Sequence, residues 1–264
     1  MALLAAVAAS IIDGGGDCDP CRSDVRRAPE TEPADLRRAL RAVPDDDPDR
    51  LVIAVLAAHD SWDDDAWSLL ADRLVRLARA DGALALLPLA LTQRTLAHLH
   101  AGEFTAAAAL AAETAAIGAA TGDVRPACAN VVLTCWRGRP VIDDAARQAT
   151  ALGEGRGLQL VRQAAAVLHN GLGHYAEALT ASAGAGQSGL PELVEAAARS
   201  GEPERAAEAV RRLSRSAGES GTAWARGIEA RSRALISDGD DADKLYREAI
   251  DLLTTGRGDR KSVV

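Results

Sequence analysis

Cys18-Asp19-Pro20-Cys21 has the two-residue spacing of a thiol redox pair or of half a zinc knuckle. A structural zinc needs four ligands, and no second pair with that spacing exists in the chain. Cys128 and Cys135 stand seven residues apart, two helical turns, so they share one helix face, where a free cysteine behaves as a small buried hydrophobe. His98 and His100 flank Leu99 and point to different faces, a poor geometry for sharing a metal. His169 and His174 straddle a turn, and all four read as core or surface histidines. Asp45-Asp46-Asp47 and Asp63-Asp64-Asp65 could attract a cation. Their place beside helix starts is better explained by the positive end of the helix dipole.

Phosphate chemistry fares no better. The only lysines are Lys244 and Lys261, and neither follows a glycine, so no phosphate loop of the Gly-Lys-Ser type exists in this sequence. Gly14-Gly15-Gly16 and Gly155-Arg156-Gly157 lack the strand, turn and helix that such a loop needs. Gly186-Gln187-Ser188-Gly189 has only a superficial likeness to a nucleophile elbow. Arg205, Arg211, Arg212, Arg215, Arg226, Arg231 and Arg233 enrich the last third in positive charge, but Glu202, Glu204, Glu208, Glu219 and Glu229 interleave with them. That pattern describes a solvated, ion-paired face rather than a DNA-reading patch. A formal net charge of −8 also opposes nonspecific nucleic-acid binding. The expectation is a protein that is not an enzyme, with no catalytic, cofactor-binding or metal-binding residue and no cofactor.

The elements that carry these residues are helices. Alanine supplies 58 of 264 residues while aromatics make up only 3%, so thin, closely packed helices are expected rather than sheets. Glycine recurs at Gly102, Gly138, Gly173, Gly201 and Gly239, at intervals of 36, 35, 28 and 38 residues. Each glycine is read as a turn residue of positive φ between two helices of a hairpin, and a hairpin that cannot bury its own apolar face must stack on its neighbours. An aromatic two residues after the glycine (Phe104, Tyr175) is expected to open a buried face, and a small residue five after it (Ala107, Ala178, Ala206) to allow close approach. Proline takes the aromatic slot at Pro140 and Pro203, and Lys244 breaks the small-residue rule after Gly239.

Helical periodicity starts near Pro33, and the reading is an all-α chain: an α-solenoid of tetratricopeptide-like hairpins over 33–254, about six in number. Residues 1–32 stand apart, with Asp13 to Thr31 read as loop or disordered, and residues 255–264 form a non-native-looking tail. Met1 to Ile12 is apolar, but no Lys or Arg precedes it and it is too short to cross a bilayer. It reads as a truncated repeat helix or a mistranslated start rather than a signal peptide, which together with four cysteines points to a cytoplasmic location. Ser61 is a candidate N-cap, Pro88 should kink its helix or sit in its first turn, and the repeat shortens over Ala183 to Gly189. The last helix, Ala242 to Leu253, carries Leu245, Ile250, Leu252 and Leu253 with no following helix to cover them.

Several phrases resemble a known family: Ser61-Trp62-Asp63-Asp64-Asp65-Ala66-Trp67, Val167-Leu168-His169-Asn170-Gly171-Leu172-Gly173-His174-Tyr175-Ala176-Glu177-Ala178-Leu179, and Leu190-Pro191-Glu192-Leu193-Val194-Glu195-Ala196-Ala197. Ile228-Glu229-Ala230-Arg231-Ser232-Arg233-Ala234-Leu235 and Leu245-Tyr246-Arg247-Glu248-Ala249-Ile250 extend the series. In this order they resemble the tetratricopeptide-like region of the large ATP-binding LuxR-type transcriptional regulators of actinobacteria. The resemblance spans Trp62 to Leu253, thins before Leu36, and is short of the family pattern near Pro140 and Ala183. It implies a regulator with an N-terminal ATPase module and a C-terminal helix-turn-helix, neither of which these residues encode. Asp259-Arg260-Lys261-Ser262-Val263-Val264 looks like translated sequencing adapter, consistent with a chain truncated before the helix-turn-helix.

The role expected from all this is binding: a concave helical face that receives a protein partner or small effector, as the sensor region of a regulator or, alternatively, as a stand-alone interaction adaptor. Nucleic acid would be contacted only through the absent helix-turn-helix, and no membrane is involved. Residues 1–264 alone should therefore neither hydrolyse ATP nor retard promoter DNA at physiological salt. Phosphate release by the purified chain, or a band shift at that salt, would show that the chemistry had been misplaced.

Overall fold

The computed structural model describes the backbone of residues 33–44, 47–122 and 128–261, and the side chains of residues 36–44, 47–122 and 128–255. Cys18, Cys21, the Met1–Ile12 segment, Asp45, Asp46 and Pro126 lie outside the described residues. Among those described there are thirteen α-helices and no strand. They are α1 (Pro33–Arg41), α2 (Pro48–Asp60), α3 (Asp64–Ala80), α4 (Leu87–His100), α5 (Phe104–Thr121), α6 (Cys128–Trp136) and α7 (Ile142–Ala151). After these come α8 (Gly155–Leu172), α9 (Tyr175–Ala183), α10 (Leu190–Arg199), α11 (Pro203–Ser220), α12 (Ala223–Ala234) and α13 (Gly239–Lys261). A 3₁₀ turn, Gln187–Gly189, precedes α10 where the repeat shortens.

Helix starts follow local chemistry. Asp47 Oδ1 accepts from the Arg50 amide at 3.0 Å and Asp63 Oδ1 from the Ala66 amide at 3.0 Å, satisfying otherwise orphaned donors of α2 and α3. One residue of each acidic run, Asp47 and Asp63, thus serves as a cap. Ser61 does not cap α3; it closes α2, its hydroxyl donating to the Ala58 carbonyl at 3.2 Å, because Asp63 is the residue within reach of the first free amides. Pro88 sits in the first turn of α4, where no intrahelical donor is lost. α13 runs eight residues beyond the expected end at Leu253, to Lys261.

The glycine series marks real turns. Gly102, Gly138, Gly173, Gly201 and Gly239 have φ of 74°, 75°, 76°, 74° and 56°. Ala107, Ala178 and Ala206 in the small-residue slot are fully buried at 0% exposure. The aromatic slot departs from expectation: Phe104 is 40% exposed and stacks on Trp136 at 5.9 Å between ring centroids. As the first residue of α5, its side chain leans toward the helix N-terminus and so past the end of the packed interface. α5 itself is long and apolar enough by composition to cross a membrane, the one such helix among the described residues, through its alanines.

From α2 onward short turns make successive helices pack in sequence, α1 packs on α3, and α4 also touches α6, α6 touches α8, α8 touches α10, and α10 touches α12. Two apolar clusters result. One draws on α1 to α6 and α8, through Leu40, Leu51, Leu70, Leu91, Leu133 and Leu168. The other draws on α9 to α12, through Ala178, Leu190, Val194, Leu213 and Ala225. At the far end, α13 packs so closely on α12 that a Cβ on Gly227 would lie 2.7 Å from Leu253 Cγ. Leu252 and Leu253 are thereby partly covered, while Ile250 stays 63% exposed.

Trp62 joins the two halves. It lies in the α2–α3 turn, yet its ring belongs to the second cluster, 4% exposed and 5.3 Å from the Trp224 ring. Its carbonyl accepts hydrogen bonds from Ser220 Oγ at 2.8 Å and Thr222 Oγ1 at 3.4 Å. Nearby, Arg37 Nη2 donates to the Glu219 carbonyl at 2.8 Å. Residues more than 150 positions apart in sequence thus meet, and the helical arc returns on itself. Trp62 also has φ of 60°, the only non-glycine with positive φ among the described residues. Its place in Ser61-Trp62-Asp63 matches that of the turn glycine in Ala101-Gly102-Glu103. A bulky residue held in that region stores roughly 1–3 kcal/mol of strain.

That strain makes a testable inversion. Losing the buried indole should destabilise both Trp62→Ala and Trp62→Gly by about 3–5 kcal/mol less any relief. At ordinary positions glycine is the worse replacement, but here Trp62→Gly should be the more stable variant by about 1 kcal/mol in urea denaturation. A Trp62→Ala variant as stable as Trp62→Gly would refute the strained geometry.

Candidate functional site

Helices α2, α4 and α5 face the start of α8 across a cavity of about 760 Å³. Leu56 of α2, Pro88 and Leu89 of α4, Ala115 and Ala119 of α5, and Leu160 of α8 supply an apolar wall. Gly186, Gln187 and Ser188, from the shortened stretch before α10, complete one side. The volume falls within the range that encloses a small organic molecule.

Polar groups converge in this wall. Arg156 Nη1 and Nη2 donate to Asp60 Oδ2 at 2.9 and 2.7 Å, joining the end of α2 to the first turn of α8. His59 Nδ1 lies 3.2 Å from Asp60 Oδ1, so one carboxylate is shared between an imidazole and a guanidinium. Gln93 Oε1 accepts from Trp67 Nε1 at 3.1 Å, which holds the Gln93 amide in the wall. Gln163 Nε2 donates to the Ser188 carbonyl at 3.1 Å and Gln187 Nε2 to Ser216 Oγ at 3.3 Å, anchoring the turn before α10 to both neighbouring helices.

Rings connect the cavity to the closure. His59 lies 4.7 Å from Trp67, Trp67 lies 5.2 Å from His100, His100 lies 5.4 Å from Trp224, and Trp224 lies 5.3 Å from Trp62. The first two contacts are edge-on, the arrangement aromatic quadrupoles favour. His98 instead turns away to Glu103, with Nδ1 2.6 Å from Oε2, in keeping with the opposite faces expected for His98 and His100. The rings of His169 and His174 stand 6.0 Å apart across the α8–α9 turn. Among the described residues no group of three or more His, Cys, Asp or Glu is placed to hold a metal ion.

Cys128 and Cys135 are both buried free thiols in α6, as their spacing suggested. Burial, reinforced by Glu154 beside Cys128, pushes the Cys128 thiol up to about 11, and burial pushes Cys135 likewise to about 11. Such thiols are poor nucleophiles at neutral pH.

The arginine-rich last third is ion-paired as its glutamates implied. Arg205 meets Glu202 at 3.3 Å, Arg211 meets Glu208 at 2.5 Å, and Arg231 of α12 meets Glu195 of α10 at 2.6 Å. Alongside, Asn170 Nδ2 at the end of α8 donates to the Glu192 carbonyl at 3.0 Å and to Glu192 Oε2 at 2.9 Å. A polar ladder thus links α8, α10 and α12. Burial raises the Glu192 carboxyl above its ordinary value of 4.5, a shift opposed by the Asn170 hydrogen bond and the charge of Arg231 and aided by Glu195.

No sequence signal singled out Asp60, His59, Arg156 or Gln93 as a group, since they come from three helices. Gly155-Arg156-Gly157 was visible only as a motif without phosphate-loop context. Trp62, standing in its turn where Gly102 stands in the α4–α5 turn, is a local sequence signal for a special contact.

Because Glu192 holds its proton more tightly folded than unfolded, stability should fall as pH rises from 4.5 through its raised folded value, and this contribution should be flat below 4.5. Glu192→Gln should remove that pH dependence and raise the melting midpoint at pH 7 by about 2–4 °C in calorimetry. An unchanged midpoint and pH profile would count against the buried carboxyl. No protein-family model matches the chain, and no curated protein or solved structure shows significant similarity to it.

Proposed function

We propose that this chain is a helical-repeat binding scaffold of tetratricopeptide-like hairpins, and that the cavity between α2, α4, α5 and α8 receives a small effector. The observation that carries this reading is the cavity itself: about 760 Å³, apolar in its walls, with Asp60, Arg156 and Gln93 fixed by hydrogen bonds at one side. Contacts of α4 with α6, α6 with α8, α8 with α10 and α10 with α12 support a stack of hairpins, since the first helix of each pair would meet the first of the next.

The resemblance to the LuxR-type regulators supports a sensor role within such a protein. In that setting ATP turnover and DNA contact would belong to other modules, and this region would report effector occupancy to them. The ring contacts from His59 to Trp224 offer a physical route, because an occupant against His59 acts on the same packed rings that close the arc.

Ala119 is exposed toward the cavity, so Ala119→Trp should fill it without disturbing a packed core. A screen of small organic fragments by thermal shift should find compounds that raise the wild-type midpoint by about 5 °C near saturation. The same compounds should leave Ala119→Trp unshifted. Fragments that stabilise both proteins equally would place binding elsewhere and refute the cavity as the site.

A further inference from the structure

The charges in the cavity wall are unequal. Asp60 and Glu154 are its two carboxylates and Arg156 its one guanidinium, and Arg156 is already engaged by Asp60 through both terminal nitrogens. Among the described residues, the Glu154 carboxylate has neither an ion pair nor a hydrogen bond. It precedes α8 without capping it, and Gly157 leaves room for it over the first helical turn: a Cβ there would stand 3.2 Å from Glu154 Oε2 and 3.4 Å from Cys128 Sγ.

The partial positive charge at the start of α8 offsets Glu154 only in part, since it amounts to roughly half an elementary charge. An anion entering this cavity would meet two carboxylates against one occupied arginine. A cation would meet an unpaired carboxylate in a space where apolar walls keep the local dielectric low and the attraction correspondingly strong. Of the remaining polar lining, the amides of Gln93, Gln159 and Gln187 and the hydroxyls of Thr92, Thr114 and Ser188 carry no charge and suit either sign, and the His59 imidazole is engaged, like Arg156, by Asp60.

We infer that the cavity selects an organic cation: a protonated amine carried on an apolar body, its ammonium against Glu154 and its body against Leu56, Leu89 and Leu160. This rests on the proposal that the cavity is a binding site, and adds the charge of what fills it.

Three probes sharing one ring system separate the possibilities by titration calorimetry on the full chain at pH 7: 2-(2-naphthyl)ethylamine, 2-(2-naphthyl)ethanol and 2-naphthylacetate. The amine should bind about tenfold tighter than the alcohol, and the acid more weakly than either. Glu154→Gln should bring the amine to the level of the alcohol without weakening the alcohol, and Glu154→Asp, which keeps the charge, should retain the preference. Equal affinity of amine and alcohol in the wild type, with both lost in Ala119→Trp, would leave the cavity as a binding site and overturn the selection of a cation. Tightest binding by the acid, or a preference for the amine that survives Glu154→Gln, would overturn it as well. Failure of all three probes to bind would remove both the cation and the cavity.

Discussion

The insertion of Trp62 into the second apolar cluster is the contact on which the arrangement of this molecule turns. Helices that pack only on their sequence neighbours form an open arc, and an open arc presents a groove whose shape follows every flexing of the turns. Here the α2–α3 turn reaches across to α11 and α12, and a buried indole, two hydroxyl hydrogen bonds and the Arg37–Glu219 contact fix the distance between the ends of the arc. The Asp60–Arg156 pair adds a second cross-connection nearer the cavity. With both in place, α2 and α8 are held at a set separation, and the space between them becomes a cavity of defined size.

Alanine is what lets so many helices converge on so little volume. Ala107, Ala178 and Ala206 stand at 0% exposure, where a larger side chain would have to displace packed neighbours. Large aliphatic residues then fill the two clusters, with Leu40, Leu51, Leu70, Leu91, Leu190 and Leu213 fully buried. The polar ladder of Asn170, Glu192, Glu195 and Arg231 runs beside the second cluster and gives α8, α10 and α12 a fixed register.

Much of the fold was legible because its cues are local. Glycine at a positive-φ turn, alanine five residues on, aspartate at a helix start and proline in a first turn each act within a few residues, so their spacing shows in one chain. Ser61 was misread because a hydroxyl and a carboxylate stood two residues apart and only geometry decides which reaches the free amides. The buried face expected of Phe104 failed for a related reason: periodicity assigns a face but does not say where the neighbouring helix ends. The closure and the cavity lay beyond reach of such cues. Trp62 and Ser220 are 158 residues apart, Asp60 and Arg156 are 96 apart, and neither pair recurs with the hairpin period.

The chain of rings has an optical consequence. Three of the four tryptophans, Trp62, Trp67 and Trp224, lie within it, while Trp136 sits 44% exposed beside Phe104. Two indoles 5.3 Å apart couple their transition dipoles, so the Trp62–Trp224 pair forms a chromophore that exists only while the arc is closed. Trp136, which stacks on Phe104 outside that pair, supplies an internal reference. The molecule carries its own label-free reporter of closure, written in the few aromatic residues its alanine-rich sequence retains.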